Sequence, residues 1–439
     1  MNPIAKELNE TIRSGNMNVY DMLSEVGQKL FFPKGILSQS AEAKEKAHRI
    51  NATIGIAKED GDIMCFPSVK NAMGDVRPEE SLTYAPSFGI PALRGAWRKS
   101  LFEKNPSLEG KNVSLPVATC GITHSISIFA DMWLDPGDVV IAPEMMWGNY
   151  NMILNVRKNV RLSHYELFSQ NRGLNLEAFE NQIKAEASKN KKITVLLNFP
   201  QNPSGYTATK EEGEAIVRIL TQTAEAGSHV LAVFDDAYFG LFYEDSAMRE
   251  SLFARLCDAH PRLLAAKLDG ATKENYVWGL RVGFVTYGCP ADGDPAAFYE
   301  ALEKKTAGCV RGNISNASHL SQTLVLKSMN SESYAAEKRE KYDTLKKRAM
   351  KVKEVLKNEK YADAWEPYPF NSGYFMCLKL KTVDAETLRV HLLDQYGVGL
   401  ISMGKTDLRV AFSCLDEKDV TDLFETIFAG VRDLESGSK

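Results

Sequence analysis

Mostly apolar runs alternate with helical stretches between about residues 113 and 290. Six of these runs are short, which predicts strands at NVSLPVAT, DVVIAP, ITVLLNF, HVLAVFD, RLLAAKL and VGFVTYG. Because helical stretches separate them, the runs predict a mostly parallel sheet with helices on both faces, and therefore an α/β fold. Ligands bind at the carboxyl ends of the strands in such sheets, so the residues that follow each run are the candidates for chemistry.

The two ends of the chain have a different pattern. Residues 1–50 predict a helical arm that ends in AEAKEKAHRI. From about residue 316, the charged helical stretch YAAEKREKYDTLKKRAMKVKEVLKNEK precedes predicted strands at GYFMCLKL and LRVAFS, and an amphipathic helix follows Asp416. This order predicts a smaller α+β domain that the arm joins. The chain then divides into the N-terminal arm, a large domain (residues 51–315) and a small C-terminal domain (residues 316–439).

The composition is that of an ordinary globular chain: 439 residues, of which 44% are hydrophobic and 25% are charged. The formal net charge of −4 argues against a nucleic-acid partner or an acidic membrane, since either would require a basic face. No apolar run approaches the roughly 18 residues that span a bilayer, and no signal-peptide layout is present, so we expect a cytoplasmic protein. Seven scattered cysteines without a C-x-x-C pair predict reduced thiols and no metal site.

Three predicted strand ends carry groups suited to binding. In VATCGITHS a strand, a glycine turn and a helix start follow one another, and free N–H groups with the Thr123 hydroxyl could hold an anion there. NFPQNPSG imposes an extended and then turning backbone that directs the amide of Asn202 outward. VFDDAYFG ends a strand with two carboxylates, Asp235 and Asp236. The alternatives are an ordinary βα turn, a rigid loop and an N-cap aspartate, respectively.

Two lysines, Lys267 and Lys273, lie six positions apart in the otherwise apolar stretch AAKLDGATKENYVWGLRVGF, and Arg281 follows eight residues after the second. A lysine that is desolvated or placed beside another positive group loses its proton near neutral pH and becomes reactive. Either these residues are solvated surface charges, or the chain builds a site that needs a reactive amine and a fixed anion partner.

Three motifs, taken in order, resemble the signatures of the fold-type I, pyridoxal-phosphate-dependent aminotransferases of class I and II. They are Asn202-Pro203-x-Gly205, Asp235-x-Ala237-Tyr238 and Lys273-x5-Gly279-Leu280-Arg281-x-Gly283. Further stretches resemble the aspartate aminotransferase branch, from about residue 50 to 415: INATIGIAKEDGDIMCFPSVKNAM, LTYAPSFGIPALRGA, MMWGNYN, VRGNISNAS and DLRVAFS. The resemblance implies a large α/β domain with a mostly parallel seven-stranded sheet, covered by helices, and a smaller α+β domain.

The resemblance also implies roles around the cofactor, pyridoxal 5'-phosphate. Lys273 would hold the cofactor aldehyde as a Schiff base and later move the proton between the substrate Cα and the cofactor. Lys267, inside the preceding strand, would be solvated or snorkelling. Asp235 would keep the pyridine nitrogen protonated so that the ring accepts electrons, and Asp236 would be a neighbour without a role.

The remaining cofactor contacts are implied in the same way. Tyr238, a catalytic residue with Lys273 and Asp235, and Asn202 would hydrogen-bond the phenolic oxygen of the cofactor. Trp147 would stack on the ring, with a core tryptophan as the alternative. For the phosphate, the resemblance implies the backbone N–H groups of Ile122 and Thr123, the Thr123 hydroxyl, Thr272 and Arg281.

Tyr84 matches a tyrosine that reaches the phosphate of the neighbouring subunit, which implies a homodimer with a shared active site. The sequence departs from the family pattern at two positions. Gly270 stands where the family usually has a phosphate-binding serine. Tyr150 stands where the aspartate branch has a histidine behind the carboxylate, so the support for Asp235 must differ.

The substrate would be held by arginines. Arg409 matches the arginine that binds the α-carboxylate through a bidentate fork, with Gly55 closing over it, and a surface strand arginine is the alternative. Arg311 matches the arginine that receives the side-chain carboxylate of dicarboxylic substrates, although an arginine in a glycine-flanked loop is often merely solvated.

The reaction that the resemblance implies is ping-pong transamination between an L-amino acid, such as aspartate or an aromatic one, and a 2-oxo acid such as 2-oxoglutarate. A β- or γ-eliminating lyase would need the same Lys273, Asp235 and Arg409, so it is the alternative enzyme. A non-enzymatic binding or regulatory protein of this fold is disfavoured, because the amine, the acid and the arginine are all present and no basic face is.

Overall fold

The computed structural model describes residues 1–32 and 35–437 and contains a seven-stranded central sheet. In chain order its strands are β1 (Val117–Thr119), β2 (Val139–Pro143), β3 (Arg161–Tyr165), β4 (Lys192–Asn198), β5 (His229–Asp235), β6 (Leu263–Gly270) and β7 (Gly283–Gly288). Side by side, they follow the order β1-β7-β6-β5-β4-β2-β3. Neighbours from β6 to β3 run parallel, and β7 is antiparallel to β1 and β6. The prediction of a mostly parallel seven-stranded sheet is confirmed.

Six of the seven strands coincide with the apolar runs of the sequence, and β3 does not. Its sequence, RLSHY, has a single buried residue, Ser163. The strand lies at the edge of the sheet and pairs only with β2. An edge strand keeps one side in solvent and can carry charged residues, so hydrophobicity alone did not mark it.

Helices cover both faces of the sheet and form two apolar cores. Ile141 and Val195 point to one face, where they pack with the helices Leu176–Ala187 and Lys210–Glu225. The helix Ile122–Trp133 packs on the opposite face. The other helices of this part are Pro67–Ala72, Pro91–Lys104, Phe253–Leu256, Ala271–Glu274, Pro295–Ile314 and the π-helix Asn151–Val156. No helix within the described ranges has the length and apolarity needed to cross a bilayer.

The C-terminal part has its own four-stranded antiparallel sheet. Its strands are β8 (Trp365–Pro367), β9 (Phe375–Leu380), β10 (Ile401–Met403) and β11 (Asp407–Ala411), in the order β8-β9-β11-β10. The helices nearby are Tyr334–Val355, Ala385–Tyr396 and Val420–Gly437. The predicted strands GYFMCLKL and LRVAFS correspond to β9 and β11, and the predicted last helix begins at Val420.

The helix His319–Met329 lies beyond the predicted domain boundary and yet packs on the large part. Gln322 accepts a hydrogen bond from the Ile90 N–H at 2.9 Å. The hydroxyls of Ser328 and Ser68 are 2.9 Å apart. This helix therefore shares its surroundings with the first helices of the large domain, and the division of the chain at residue 315 stays a prediction.

The N-terminal arm is helical, as the sequence predicts. Its helices are Pro3–Gly15, Met17–Asp21, Glu25–Lys29 and Ile36–Lys46. The arm then joins the C-terminal part, because Ile50–Asn51 pairs in parallel with Val398–Gly399. Gln39 accepts a hydrogen bond from the Ser402 N–H at 3.0 Å and donates one to the Ser402 hydroxyl at 3.0 Å. The last helix of the arm is therefore fixed to the small sheet.

Candidate active site

A cavity of about 180 Å³ lies at the carboxyl ends of β4, β5 and β6, where the sequence predicts chemistry. The predicted residues that line it are Ile122, Thr123, Trp147, Asn202, Asp235, Tyr238, Thr272, Lys273 and Arg281. A larger cleft of about 1070 Å³ shares several of these residues and adds Gly55 and Arg409. The structure therefore gathers eleven of the predicted side chains and backbone groups at one place.

One end of the cavity is suited to an anion. The helix Ile122–Trp133 begins directly after Gly121, and the first N–H groups of a helix have no partners within it. Gly121 has a φ of +76°, and a Cβ there would lie 2.5 Å from a guanidinium nitrogen of Arg281. The glycine thus lets Arg281 approach the start of the helix. The buried hydroxyl of Thr272 has no hydrogen-bond partner among the described residues, so it too is available to a ligand.

The amine of Lys273 faces the cavity from the short helix Ala271–Glu274, which follows β6. Its nitrogen lies 4.8 Å from the centre of the Tyr238 ring. Burial lowers the pKa of Lys273 to about 8, the charge of Asp235 opposes the shift, and the charge of Arg281 adds to it. About one amine in ten is therefore uncharged at pH 7, far more than for an ordinary lysine, and the uncharged form is the nucleophile.

Asp235 ends β5 and is buried, with 3% of its surface exposed. The hydroxyl of Tyr150 donates a hydrogen bond to it at 2.5 Å, and the Ala237 N–H donates another at 3.1 Å. Burial raises the pKa of Asp235, while the Tyr150 hydrogen bond and the charge of Lys273 oppose that rise. Tyr150, in the place of the family's histidine, therefore supports the carboxylate through a hydroxyl.

Arg409 lies on β11 and is almost completely buried. One terminal nitrogen donates to the Thr53 carbonyl at 2.8 Å, and the other donates to the Asn202 side-chain oxygen at 3.3 Å. Its guanidinium carbon lies 4.3 Å from the centre of the Phe375 ring, and its Nε has no hydrogen-bond partner within the part of the chain that the structure describes. A Cβ on Gly55 would be 3.1 Å from this ring, so Gly55 also lies close by. Arg409 is not a surface strand arginine, and its unfilled donor is available to a carboxylate.

Gly270 has a structural reason to replace the family's serine. It pairs with Gly283 where β6 meets β7. A Cβ on Gly270 would lie 2.5 Å from the Val282 carbonyl oxygen and 2.9 Å from the Gly283 Cα. Both contacts are with backbone, so a serine would require one of the strands to move.

Tyr84 and Arg311 do not line the cavity or the cleft within this chain. The side chain of Tyr84 is 91% exposed. The expectation that Arg311 lies in a loop is wrong, because it lies exposed in the last turn of the helix Pro295–Ile314. The helix continues past Gly308 because Ala307 and Val310 keep its buried face packed.

The expectation that Lys267 is solvated or snorkelling is wrong. Its side chain is fully buried, forms an ion pair with Asp236 and lies 3.6 Å from Asp269. The Ser251 hydroxyl donates to Asp236 at 2.6 Å, so Asp236 has a structural role. The reason is position: β6 lies inside the sheet, where a lysine cannot reach water and needs buried acids as partners.

Asn198 is a cavity residue that sequence reasoning missed. It ends β4, donates a hydrogen bond to the Asp235 carbonyl at 2.7 Å and accepts one from the Asn202 N–H at 2.9 Å. It therefore fixes two adjacent strand ends. The signal was present, since Asn198 is the polar residue at the end of the ITVLLNF run.

The outer part of the cleft is lined by the arm and the small sheet. Phe31, Ile36, Met146, Trp278 and Met403 give it apolar walls. Farther out, Arg389 also lines it, with a salt bridge to Glu386 at 2.6 Å and another to Glu42 at 3.0 Å.

Comparison with known proteins agrees with this geometry. The family model for aminotransferase class I and II matches residues 48–427. An aspartate aminotransferase of Bacillus sp. (strain YM-2) is 27% identical over 257 residues, which cover 58% of this chain and 62% of that protein. An aspartate aminotransferase of Pyrococcus horikoshii is 24% identical over 404 residues, which cover 89% of this chain and 95% of that protein.

The first curated relatives are matched over only 60–62% of their own length. A solved structure of an aminotransferase from Anaerococcus prevotii has the same fold, with a TM-score of 0.81 at 23% identity, covering 91% of this chain and 97% of that one. An aspartate aminotransferase of Thermus thermophilus gives a TM-score of 0.73 at 19% identity, covering 93% and 99%. Since the family match covers most of the chain and the fold agrees, the chain belongs to the aminotransferase class I and II family.

Proposed function

We propose that this protein is an aminotransferase that moves an amino group between an L-amino acid and a 2-oxo acid. The observation that carries the proposal is the cavity itself, in which the amine of Lys273 lies among Asp235, Tyr238 and Arg281, with Arg409 in the adjoining cleft. These residues supply a nucleophile, an acid, a hydroxyl and two anion-binding groups.

Members of this family use pyridoxal 5'-phosphate, and the residues present fit that group. The helix start at Ile122, Arg281 and the unpartnered Thr272 hydroxyl suit its phosphate. Lys273 suits its aldehyde, because burial lowers the pKa of the amine to about 8. Asp235 suits its pyridine nitrogen, and Trp147 its ring face. Asn202 and Tyr238 would hydrogen-bond its phenolic oxygen.

When bound, the cofactor supplies an electron-accepting ring that stabilises negative charge at the substrate Cα. The chain's own residues do the rest. Arg409 binds the α-carboxylate and so orients the substrate. Lys273 would take the proton from the substrate Cα as the general base. Asp235 would hold a proton on the pyridine nitrogen. A second 2-oxo acid then reverses these steps, which gives ping-pong kinetics.

Aspartate or an aromatic amino acid, with 2-oxoglutarate as the partner, is the substrate pair that we propose. The apolar walls of the outer cleft support a large side chain. Arg389 already pairs with two carboxylates, so a diacid would depend on Arg311 of a second chain. The exposed Leu82 and Tyr84, 83% and 91% exposed, support a homodimer in which such groups enter the neighbour's cleft.

A panel of amino donors with 2-oxoglutarate, run on wild type, Arg311→Ala and the matched control Lys305→Ala, tests the proposal. We expect glutamate to form, and loss of Arg311 to raise KM for dicarboxylic substrates about tenfold more than for aromatic ones. Lys305 is exposed on the same helix, so its loss should change neither KM. Ammonia and pyruvate formed without an acceptor would instead identify an eliminating lyase. Equal effects of Arg311→Ala on both substrate classes would remove its role.

A further inference from the structure

Tyr150 contacts two parts of the cavity at once. It is 1% exposed, and its hydroxyl donates to Asp235 at 2.5 Å. Its ring meets the Trp147 ring edge-on, with centroids 5.4 Å apart and planes at 85°. The Tyr150 N–H also donates to the Trp147 carbonyl at 3.0 Å, so one tight turn presents both rings. Tyr150 therefore links the carboxylate of Asp235 to the Trp147 ring.

We propose that Tyr150 is a positioning residue that keeps Asp235 ionised as the partner of the cofactor's pyridine nitrogen, an inference that rests on the function proposed above. The same side chain holds Trp147 against the ring face. Tyr150 would therefore set both the protonation of the pyridine nitrogen and the position of the cofactor ring, although its own side chain is uncharged.

The argument begins with the cost of burying Asp235. An isolated carboxylate in a dry site takes up a proton, and a hydrogen bond donated to its ionised form opposes that. Besides Tyr150, the described residues offer Asp235 the Ala237 N–H at 3.1 Å and the charge of Lys273. The cofactor aldehyde would engage that lysine, so the donors that remain to Asp235 are the Tyr150 hydroxyl at 2.5 Å and the more distant Ala237 N–H.

The chemistry of the donor decides what the carboxylate can do next. Burial and the charge of Asp235 raise the pKa of Tyr150 well above its usual value, so the hydroxyl keeps its proton. A neutral hydroxyl leaves the full negative charge of Asp235 to be balanced by a protonated pyridine nitrogen.

Substitutions of Tyr150 can remove its hydrogen bond to Asp235 while keeping its ring contact with Trp147. Tyr150→Phe removes the hydroxyl and retains the ring that meets Trp147. Tyr150→His retains a donor, since an imidazole N–H can replace the hydroxyl. Tyr243→Phe is the matched control, because Tyr243 is equally buried and its hydroxyl donates to the Gly373 carbonyl at 2.7 Å, away from the cavity.

The experiment measures the dissociation constants of the full-length apoprotein for pyridoxal 5'-phosphate and for its 1-deaza isostere, which has carbon in place of the ring nitrogen. We expect Tyr150→Phe to weaken binding of the natural cofactor about tenfold and binding of the isostere less than twofold. Tyr150→His should restore most of the difference, and Tyr243→Phe should show none. With ¹⁵N-labelled cofactor, the ring-nitrogen resonance of Tyr150→Phe should move towards that of the unprotonated ring.

Equal losses for the two cofactors, or no loss for either, would overturn the inference, because a merely structural tyrosine does not distinguish nitrogen from carbon in the ring. If Tyr150→Phe does not fold, Tyr150→His decides: loss of the preference for the natural cofactor would overturn the inference, and its retention would support it. Wild type that binds neither cofactor would overturn the proposed function instead.

Discussion

Lys273 and Tyr238 meet across the cavity, with the lysine nitrogen 4.8 Å from the centre of the tyrosine ring. The two residues come from different strand ends, one after β6 and the other after β5. The amine is desolvated there, and burial and the charge of Arg281 lower its pKa to about 8 against the opposing charge of Asp235. The reactivity of the site therefore depends on how the segments that follow β5 and β6 converge.

We predict that the apoprotein takes up pyridoxal 5'-phosphate faster as pH rises to about 8, with little increase above it. The uncharged amine is the reactive form, and a pKa of about 8 leaves about one amine in ten uncharged at pH 7. Stopped-flow absorbance across pH 6–10.5 measures the rate, and borohydride reduction followed by peptide mapping should label Lys273. A rate that keeps rising to pH 10.5, as for an ordinary lysine, or a label on another lysine, would contradict this prediction.

Removing the amine of Lys267 should destabilise the protein strongly. Lys267→Met leaves Asp236 and Asp269 buried without their cation, which we expect to cost about 3–5 kcal/mol of unfolding free energy. Urea denaturation, followed by circular dichroism, gives this quantity. The control is Lys304→Met, since Lys304 pairs with Glu300 in solvent.

The double variant Lys267→Met/Asp236→Leu tests the cause of that loss. It should recover part of the stability, because one of the unpaired carboxylates is gone as well. If Lys267→Met is as stable as Lys304→Met, the buried ion pair does not contribute as we infer.

Restoring the family's serine at Gly270 should harm the protein. The added Cβ would meet the Val282 carbonyl oxygen at 2.5 Å, so β6 or β7 must shift. We expect Gly270→Ser to lower the unfolding free energy by about 1–3 kcal/mol and to weaken cofactor binding. Gly308→Ser is the control, because a Cβ there meets nothing within 4 Å. Tighter cofactor binding by Gly270→Ser would show that the strands yield and the hydroxyl is used.

Arg409→Lys should raise KM for every amino donor by roughly 30-fold, because lysine cannot form the bidentate pair with a carboxylate. The effect should not depend on the substrate side chain, since the α-carboxylate is common to all. Steady-state kinetics with an aromatic and a dicarboxylic donor measures it. Arg432→Lys, at an exposed ion pair with Asp363, should leave KM unchanged. A loss confined to one donor class would assign Arg409 to the side chain instead.

Much of the fold and of the site can be predicted from the sequence, because apolar runs mark the strands and the polar residues at their ends mark the cavity. The rule of looking after each strand located Asp235, Asn202 and Lys273, and the structure brings them to one cavity. Their roles stay predictions, because the positions of the side chains do not by themselves establish the reaction. The same rule also covers Asn198, because this polar residue ends β4 and lines the cavity.

Other contacts could not be predicted from the sequence, for physical reasons. The burial of Lys267 depends on its neighbour across the sheet, Asp236, which follows β5, and register is not written in one strand. Likewise, the resemblance puts Tyr150 behind Asp235, 85 residues away, but it does not give the 2.5 Å hydrogen bond that the hydroxyl donates. Tyr84 and Arg311 raise a different difficulty, because neither lines the cavity or the cleft within this chain.

The crowding at the anion end of the cavity restricts how this protein can be altered. A Cβ on Gly121 would collide with Arg281, and one on Gly283 would lie 2.7 Å from the backbone of Gly121. A side chain at Gly121 or Gly283 therefore requires the Arg281 guanidinium or the neighbouring backbone to move. We therefore expect changes in substrate preference, in the laboratory or by natural variation, to arise at the mouth of the cleft and not at the crowded anion end of the cavity.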